Sequence, residues 1–560
     1  MSQRPGRFFV TTAIDYVNGA PHLGHAYEKV VTDCLARARR QAGDDVFFLI
    51  GSDEHGQKVA RSAAAEGVDP QTYVDRITAL FQDAWRVLRV EPDRYVRTTE
   101  PGHAVAAQEL FRRAYEAGDV YEHEYEGLYC QGCEAFYQEK DLVEGRCPIH
   151  HTDLETVREK NFFFRLSRYG ERLLAHIMAH PEFIEPEIRR NEVVNVIRGG
   201  LDDISISRAS VSWGVPMPAS IPGSAGHTIY VWFDALINYI SALGFPDERY
   251  KEWWTNPPGS EAPNALHVVG KDITRFHCVI WPAMLLSAGV PLPRSIFAHG
   301  FIYSKGLKLS KSLGNQIDPV ETSRRFGADA LRWYLVREVA FGADGDFTWE
   351  RFIERYNTDL ANDFGNLLSR SCSMLHRYRA GRVPGTWRPT PIEDEIRLLA
   401  SAKAREVKES YAALAPHAAL TAAWELVGRA NRYVEETKPW ALAKAEQVAA
   451  GAATGASPAA GPAERLDTVL ATLLEVCRLA SRWAWPAIPT KAEEAWAGLA
   501  LPGSPGDPPG APPRAADARA PAGDPDAWFT RGDRPLTAGR TLPPVTILFP
   551  RIDAEKLGAW

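Results

Sequence analysis

The chain has 560 residues, 45% hydrophobic and 24% charged, with a formal net charge of −7, which predicts a multidomain globular protein and excludes a disordered or fibrous one. No run of ~18 apolar residues and no signal-peptide core in MSQRPGRFF excludes a membrane span or a secretory leader in the sequence as read. Seven cysteines do not make a disulfide framework and fit a reducing cytoplasm, and the negative balance confines any nucleic-acid contact to local patches.

Residues 8–16 are apolar and β-branched and predict a buried strand. Asn18-Gly19-Ala20-Pro21 is a turn, and His22-Leu23-Gly24-His25 opens a helix. This is a βα unit whose helix N-terminus can hold an anion. His22 and His25 share one face of the first helical turn, and Gly24 lets a ligand approach the backbone. Two imidazoles there suit a polyphosphate. A pair of solvated histidines or a zinc pair is the rival reading, although no His-Glu-x-x-His motif is present. Residues 44–50 predict a second strand, followed by Gly51-Ser52-Asp53-Glu54-His55-Gly56 at its C-terminal edge, where open α/β sheets bind ligands. Asp53 is either a helix cap or a carboxylate aimed at a substrate cation.

Residues 121–158 are turn-rich. Cys130-Gln-Gly-Cys133 and Cys147-Pro-Ile-His150 form CxxC and CxxH pairs, the spacing of a tetrahedral zinc knuckle. His151 is an adjacent rival for the fourth ligand. With four protein ligands the site is structural rather than catalytic. Cys34, Cys278, Cys372 and Cys477 are isolated and read as small buried hydrophobes. Residues 161–225 continue an insertion. Strands are then expected at 228–235, 266–272 and 297–302, with a helix opening at 273–277. The βα pattern stops at the insertion and resumes after it, so one doubly wound domain is split by another.

Residues 306–315 form a glycine-bounded loop carrying Lys308, Ser310, Lys311 and Ser312. Lysines and backbone amides suit phosphates whose charge grows during reaction; a solvated basic loop is the rival. Helices are expected over 360–378, 396–414 and 466–485, and Leu420, Ala423, Leu426, Val427, Ala430 and Val434 have helical spacing. Residues 448–462 read as a low-complexity loop and 502–525 as disordered. Residues 545–549 read as a last strand or a hook packing back on the body.

The stretches TTAIDYVNGAPHLGH, GSDEHG, YVWFDALINY, HVVGKDITRFH, KLSKSLGN and TKPW, with the CxxC…CxxH knuckle, resemble class I aminoacyl-tRNA synthetases, and among them the bacterial methionyl-tRNA synthetase family. The resemblance covers the chain to about residue 500. It implies a Rossmann catalytic core at 1–116 and 228–318 and a zinc-bearing connective insertion at 117–227. A stem-contact region at 319–358 and a helical anticodon-binding bundle at 359–500 follow. A Pro/Gly/Ala-rich linker at 501–541 and a segment at 542–560 packing back on the body complete the expected layout.

By motif position the resemblance implies a methionine pocket of Ala13, Ile14, Tyr16, Trp232, Ala235, Leu236, Tyr239, Ile273 and His277, with Asp53 on the ammonium group. His22, Gly24, His25, Gly270, Asp272, Lys308, Ser310 and Lys311 would hold ATP, and His22, His25, Lys308 and Lys311 would be catalytic. Asn366, Arg370 and Trp440 would read the CAU anticodon. Cys130, Cys133, Cys147 and His150 would bind one structural Zn2+, and Mg2+ would accompany ATP.

The expected reaction has two steps: formation of methionyl-adenylate, then transfer to the 3′ end of methionine tRNA, initiator and elongator. Two features depart from the family pattern. Leu309 stands where the family has methionine in KMSKS, and His150 stands where many relatives have a fourth cysteine. No appended OB-type domain follows, so a cytoplasmic monomer is expected. A cysteinyl-tRNA synthetase would need its zinc ligands in the core. A non-catalytic tRNA-binding relative conflicts with the intact HLGH and KLSKS. A Rossmann nucleotidyltransferase for a small metabolite conflicts with the helical C-terminal third.

Overall fold

The N-terminal apolar run forms β1 (Arg7–Thr12), buried from Phe8 onward. A break at Ala13 and Ile14 follows, then β2 (Asp15–Tyr16). Helix α1 (Leu23–Ala42) returns the chain to β3 (Asp45–Asp53), and β4 (Arg94–Arg97) pairs along the opposite edge of β3. The computed structural model describes residues 6–130, 135–137, 139, 142–148, 151–255, 263–308, 316–452, 461–508, 538–544 and 546–553. It divides into two compact units: Met1–Thr32 with Asp45–Phe301, and Asp33–Asp44 with Ile302–Trp560.

In the first unit, β5 (Val120–Cys130) runs antiparallel to β7 (Glu155–Phe164), from Val120↔Phe164 to Tyr129↔Glu155. Strand β6 (Ala135–Tyr137) lines the far edge of β5, and β9 (Ile204–Ser205) lines that of β7. Between them, β8 (Ile184–Glu185) leaves this small sheet and pairs with the main one. A two-residue ladder joins β10 (Ser207–Arg208) and β11 (Thr228–Ile229). The chain then supplies β12 (Leu266–Gly270) and β13 (Ser295–His299).

The main sheet has the order β2-β3-β1-β12-β13-β8, with β4 on β3, and every pair is parallel. This is the expected doubly wound α/β core. The chain steps outward from β1 to β3 and β4 on one side and from β12 to β13 on the other. The crevice at the C-terminal ends of β1 and β12 is therefore the switch point where such sheets bind ligands.

The strand expected at 228–235 is not formed beyond Ile229. Residues Val231–Ala235 are a helical turn instead. A short apolar run does not discriminate strand from helix, and the turn delivers Asp234 to two histidines, described below.

In the second unit, β14 (Ile302–Ser304) lies between β15 (Leu307–Lys308) and β16 (Gly345–Phe347). Helices cover Pro319–Phe326, Ala328–Arg337, Asn366–Arg379, Pro391–Ala412, Pro416–Thr437, Pro439–Ala452, Pro462–Ala484 and Pro489–Gly498. A π-helical stretch, Tyr356–Gly365, leads into the third of these. Proline opens several helices, where its missing N–H has no helical partner to lose. Thr390 and Glu393 close a capping box.

Two expectations change here, and a third, open between strand and hook, takes one of its two forms. The stretch expected to be loop from residue 448 is helical as far as Ala452, and residues 453–460 lie outside the described set. Residues 502–508, expected to be disordered, are fixed by buried donors. Arg482 donates to the carbonyls of Pro505 and Asp507, both at 2.8 Å, and Gln41 donates to that of Pro505 at 2.7 Å. The last described residues form a hook rather than a strand. Leu548 and Phe549 are buried, Phe549 meets Tyr356 edge-on at 6.0 Å, and the Asn357 amide bonds both backbone groups of Ile552 at 2.9 Å.

Candidate active site

The turn after β2 ends at His22, and His25 stands in the first turn of α1. The two imidazoles stack with centroids 3.8 Å apart and 24° between planes. The His22 N–H donates to Nδ1 of His25 at 3.2 Å, and the Gly24 N–H donates to Nδ1 of His22 at 3.1 Å. Each Nδ1 is thus an acceptor, which leaves the proton of a neutral ring on Nε2. Burial first, then His22 and Lys29, hold His25 well below the usual histidine range. At neutral pH this ring therefore presents an uncharged N–H donor. A Cβ at Gly24 would lie 3.0 Å from Cε1 and 3.1 Å from Nδ1 of His22, so a larger residue would push that ring out of its place. The stacked pair sits at the positive end of α1, where anions are favoured.

Across the crevice, β12 ends at Gly270, and Asp272 follows in a 3₁₀ turn, Lys271–Ile273. The Asp272 carboxylate folds back over Gly270. A Cβ there would lie 2.6 Å from Oδ1. Both residues expected to meet ATP therefore stand on one strand end.

The residues expected to hold a methionine side chain are largely brought together. Ala13, Ile14, Trp232, Leu236, Tyr239 and Ile273 belong to one apolar cluster. Ala235 is buried nearby on the same short helix. The Tyr239 hydroxyl and His277 Nε2 are 2.7 Å apart, and His277 Nδ1 faces the Ile273 carbonyl at 3.0 Å. The carbonyl must accept, so Nδ1 carries the proton and Nε2 accepts from Tyr239. Burial pushes His277 down to about 4 despite the Ile273 bond, so the ring is neutral at pH 7. Trp232 stacks on Phe276 with centroids 3.9 Å apart and 12° between planes. Phe276 is not among the expected contacts, although it stands in HVVGKDITRFH one residue before His277.

Asp53 closes β3 opposite Tyr16 and is buried. Its neighbour Glu54 is consumed structurally. The Glu54 carboxylate accepts from Ser52 at 2.6 Å, Thr78 at 2.7 Å and Arg97 at 2.6 Å, and from Thr99 as well. Glu54 is thus committed to the fold, and Asp53 is the acid that the resemblance places on a substrate cation.

Behind this wall, Asp234 Oδ2 meets His55 Nδ1 at 2.7 Å and Asp234 Oδ1 meets His103 Nε2 at 2.9 Å. Burial raises the Asp234 carboxyl, but the two histidines outweigh it and hold it down at about 2. This clamp ties the Val231–Ala235 helix, which carries Trp232, to the strand edge that carries Asp53.

The other predicted residues fall in three places. Lys308 pairs through its backbone with Tyr303 in the second unit's hairpin, whose turn is held by the Gly306 N–H on Asp346 at 3.0 Å. Ser310 and Lys311 lie outside the described residues. Cys130 ends β5 and pairs with Ala135; Cys130 and Cys147 are both buried and neither is in a disulfide. Cys133 and His150 lie outside the described residues, so no ligand set can be assembled there. His151 is solvent-exposed, with φ 54°, and its N–H closes a turn on the Cys147 carbonyl at 2.8 Å. In the helical unit, Asn366 is exposed, Arg370 pairs with Glu435 at 2.8 Å, and Trp440 is 42% exposed.

The family model described as "tRNA synthetases class I (M)" matches residues 8–156 and 152–372. The chain is 41% identical to a methionine–tRNA ligase of Caldanaerobacter subterraneus subsp. tengcongensis over 98% of this chain and 79% of that protein. It is 42% identical to one from Mycobacterium tuberculosis over 97% of this chain and 98% of that protein. A solved structure of Mycobacterium tuberculosis methionyl-tRNA synthetase in complex with methionyl-adenylate superimposes with a TM-score of 0.85 at 41% identity. The match covers 97% of this chain and 100% of that one. Among the described residues, no helix is long and apolar enough to cross a membrane.

Proposed function

The chain belongs to the methionine-type class I aminoacyl-tRNA synthetases, and from that premise we propose that it activates methionine with ATP and charges methionine tRNA, initiator and elongator. What supports this reading is a stacked histidine couple at the switch point of the sheet, together with an apolar, aromatic cluster that gathers Ala13, Ile14, Trp232, Leu236, Tyr239 and Ile273. The first suits a polyphosphate, the second a thioether.

Methionine enters with its side chain against Trp232, Ile14, Leu236 and Tyr239 and its ammonium on Asp53. One methionine carboxylate oxygen attacks the α-phosphorus of ATP, which arrives with Mg2+. The bond to the β-phosphate breaks and pyrophosphate leaves with the electron pair. His22 and His25 donate to phosphate oxygens as charge builds, and Lys308 and Lys311 meet the leaving pyrophosphate. The terminal ribose hydroxyl of the tRNA then attacks the adenylate carbonyl and AMP departs. No protein nucleophile is needed. Asn366, Arg370 and Trp440 read the CAU anticodon, and the protein works as a cytoplasmic monomer.

Cys130, Cys133, Cys147 and His150 would hold one zinc ion, which supplies a structural crosslink and no chemistry. The two described thiols, both buried, fit inward-facing ligands. Freshly purified protein is expected to carry about one zinc per chain, and Cys130→Ala to lose it with a lower melting temperature. Metal-free wild-type protein would remove the knuckle. Zinc retained in His151→Ala but lost in His150→Ala would fix the fourth ligand.

ATP–pyrophosphate exchange with each of the twenty amino acids tests the central reading. Methionine should far outrun leucine, isoleucine and cysteine. One methylene is worth only ~1–3 kcal/mol, so homocysteine is the competitor expected to be activated at a reduced rate. Equal exchange with leucine and methionine would overturn the assignment.

A further inference from the structure

A buried lysine lies beneath the crevice, and no motif points to it. Strand pairing shows where it acts. Thr11 faces Leu49 and Asp15 faces Ser52, so four steps along β1–β2 oppose three along β3. The chain bulges at Ala13 and Ile14, and bulges beside active sites re-aim side chains and backbone. Lys29, one helical turn beyond His25 on α1, fills the space below this bulge and is itself buried. Its ammonium makes three contacts: the Ala13 carbonyl at 2.7 Å, Asp15 Oδ1 at 2.9 Å and Glu28 Oε1 at 2.8 Å. All three of its protons are thereby used. The second Glu28 oxygen faces His299 Nε2 at 3.1 Å, at the end of β13.

We infer that Lys29 is a positioning residue for adenylate formation, holding the Ala13–Ile14 bulge in register with the histidine-bearing start of α1 through its bond to the Ala13 carbonyl. This deepens the function proposed above and rests on the reading of Ala13 and Ile14 as methionine contacts. The geometry favours the carbonyl as the working contact. The Ala13 carbonyl also accepts from Thr12 Oγ1 at 3.0 Å, a contact from the neighbouring residue, so Lys29 is what ties it to α1. A lysine four residues from His25 on the same helix links its position directly to that of the imidazoles. Asp15 and Glu28 balance the buried ammonium and keep it charged, which leaves the carbonyl bond as the contact that reaches the bulge.

The test separates the carbonyl bond from the ion pair. Lys29→Met keeps the volume but strands Asp15 and one Glu28 oxygen in the interior. Adding Asp15→Asn removes the first charge, and Glu28 keeps His299 as a partner at 3.1 Å. If Lys29 acts by positioning, the double variant should melt near wild type yet keep a methionine KM raised ~10-fold or more, the cost of one lost bond to a charged donor. Its ATP KM should change much less, and Lys29→Arg should recover part of the methionine affinity. A double variant with wild-type methionine KM would show a merely structural ion pair and overturn the inference. Asp53→Ala run in parallel guards the underlying reading. If Asp53→Ala keeps wild-type methionine KM, the pocket assignment fails and the Lys29 inference falls with it. If only Asp53→Ala loses methionine, the pocket stands and the Lys29 inference alone is refuted.

Discussion

Asp53→Ala is expected to lower kcat/KM for methionine in ATP–pyrophosphate exchange by roughly 10²–10³-fold or more, without a matching loss of stability. The carboxylate is buried at the C-terminal end of β3, directly opposite Tyr16. An ammonium brought there leaves water, and without its partner it stays uncompensated; removing one member of such a pair costs ~3–5 kcal/mol. Glu54→Ala makes the opposite prediction and serves as the control. Its carboxylate satisfies Ser52, Thr78, Thr99 and Arg97, so its removal strands several buried donors and should lower the melting temperature sharply. If Asp53→Ala melts low while Glu54→Ala stays stable, the two acids have been assigned the wrong way round. An Asp53→Ala enzyme with wild-type exchange would remove the carboxylate from the site altogether.

The split between Asp53 and Glu54 shows what a sequence can and cannot reveal. The parallel strands were legible because β1, β3, β12 and β13 are continuous apolar runs ending in polar edges. HLGH could be placed because strand, turn and helix start adjoin within one short stretch. Which of two neighbouring acids faces the substrate was not legible, since that depends on Thr78 and Arg97, contributed from distant segments. The helix at Val231–Ala235 escaped for the same reason: the His55 and His103 that hold Asp234 lie more than a hundred residues away in sequence. Lys29 and Asp15 carried a faint signal that went unused. Each is a charge inside an otherwise apolar run, and a charge at a buried position needs a partner. Their partnership spans the turn between β2 and α1, and only the folded backbone shows that one ammonium serves both Asp15 and the Ala13 carbonyl.

The second large effect separates RNA reading from chemistry. Helix Pro416–Thr437 ends where Lys438 turns left-handed at φ 44°, and Pro439 starts the next helix with its ring buried. That arrangement anchors the backbone through the proline and leaves the Trp440 indole 42% exposed, which a cap on the bundle core would not be. The Arg370–Glu435 pair at 2.8 Å fastens the helix bearing Asn366 and Arg370 to the last turns before Lys438. The three residues proposed to read the anticodon are thereby carried on adjoining helix ends of one unit. Stacking of one base on an aromatic ring is worth ~1–3 kcal/mol by alanine substitution, so Trp440→Ala should weaken charging of methionine tRNA by roughly tenfold to a hundredfold. ATP–pyrophosphate exchange, which needs no tRNA, should stay close to wild type. Because the Trp440 side chain is 42% exposed, its truncation should lower the melting temperature only slightly. A variant that charges tRNA normally would exclude Trp440 from the anticodon, and one that melts early would return it to the core. Loss of charging with both exchange and melting intact is the outcome that only a stacking role produces.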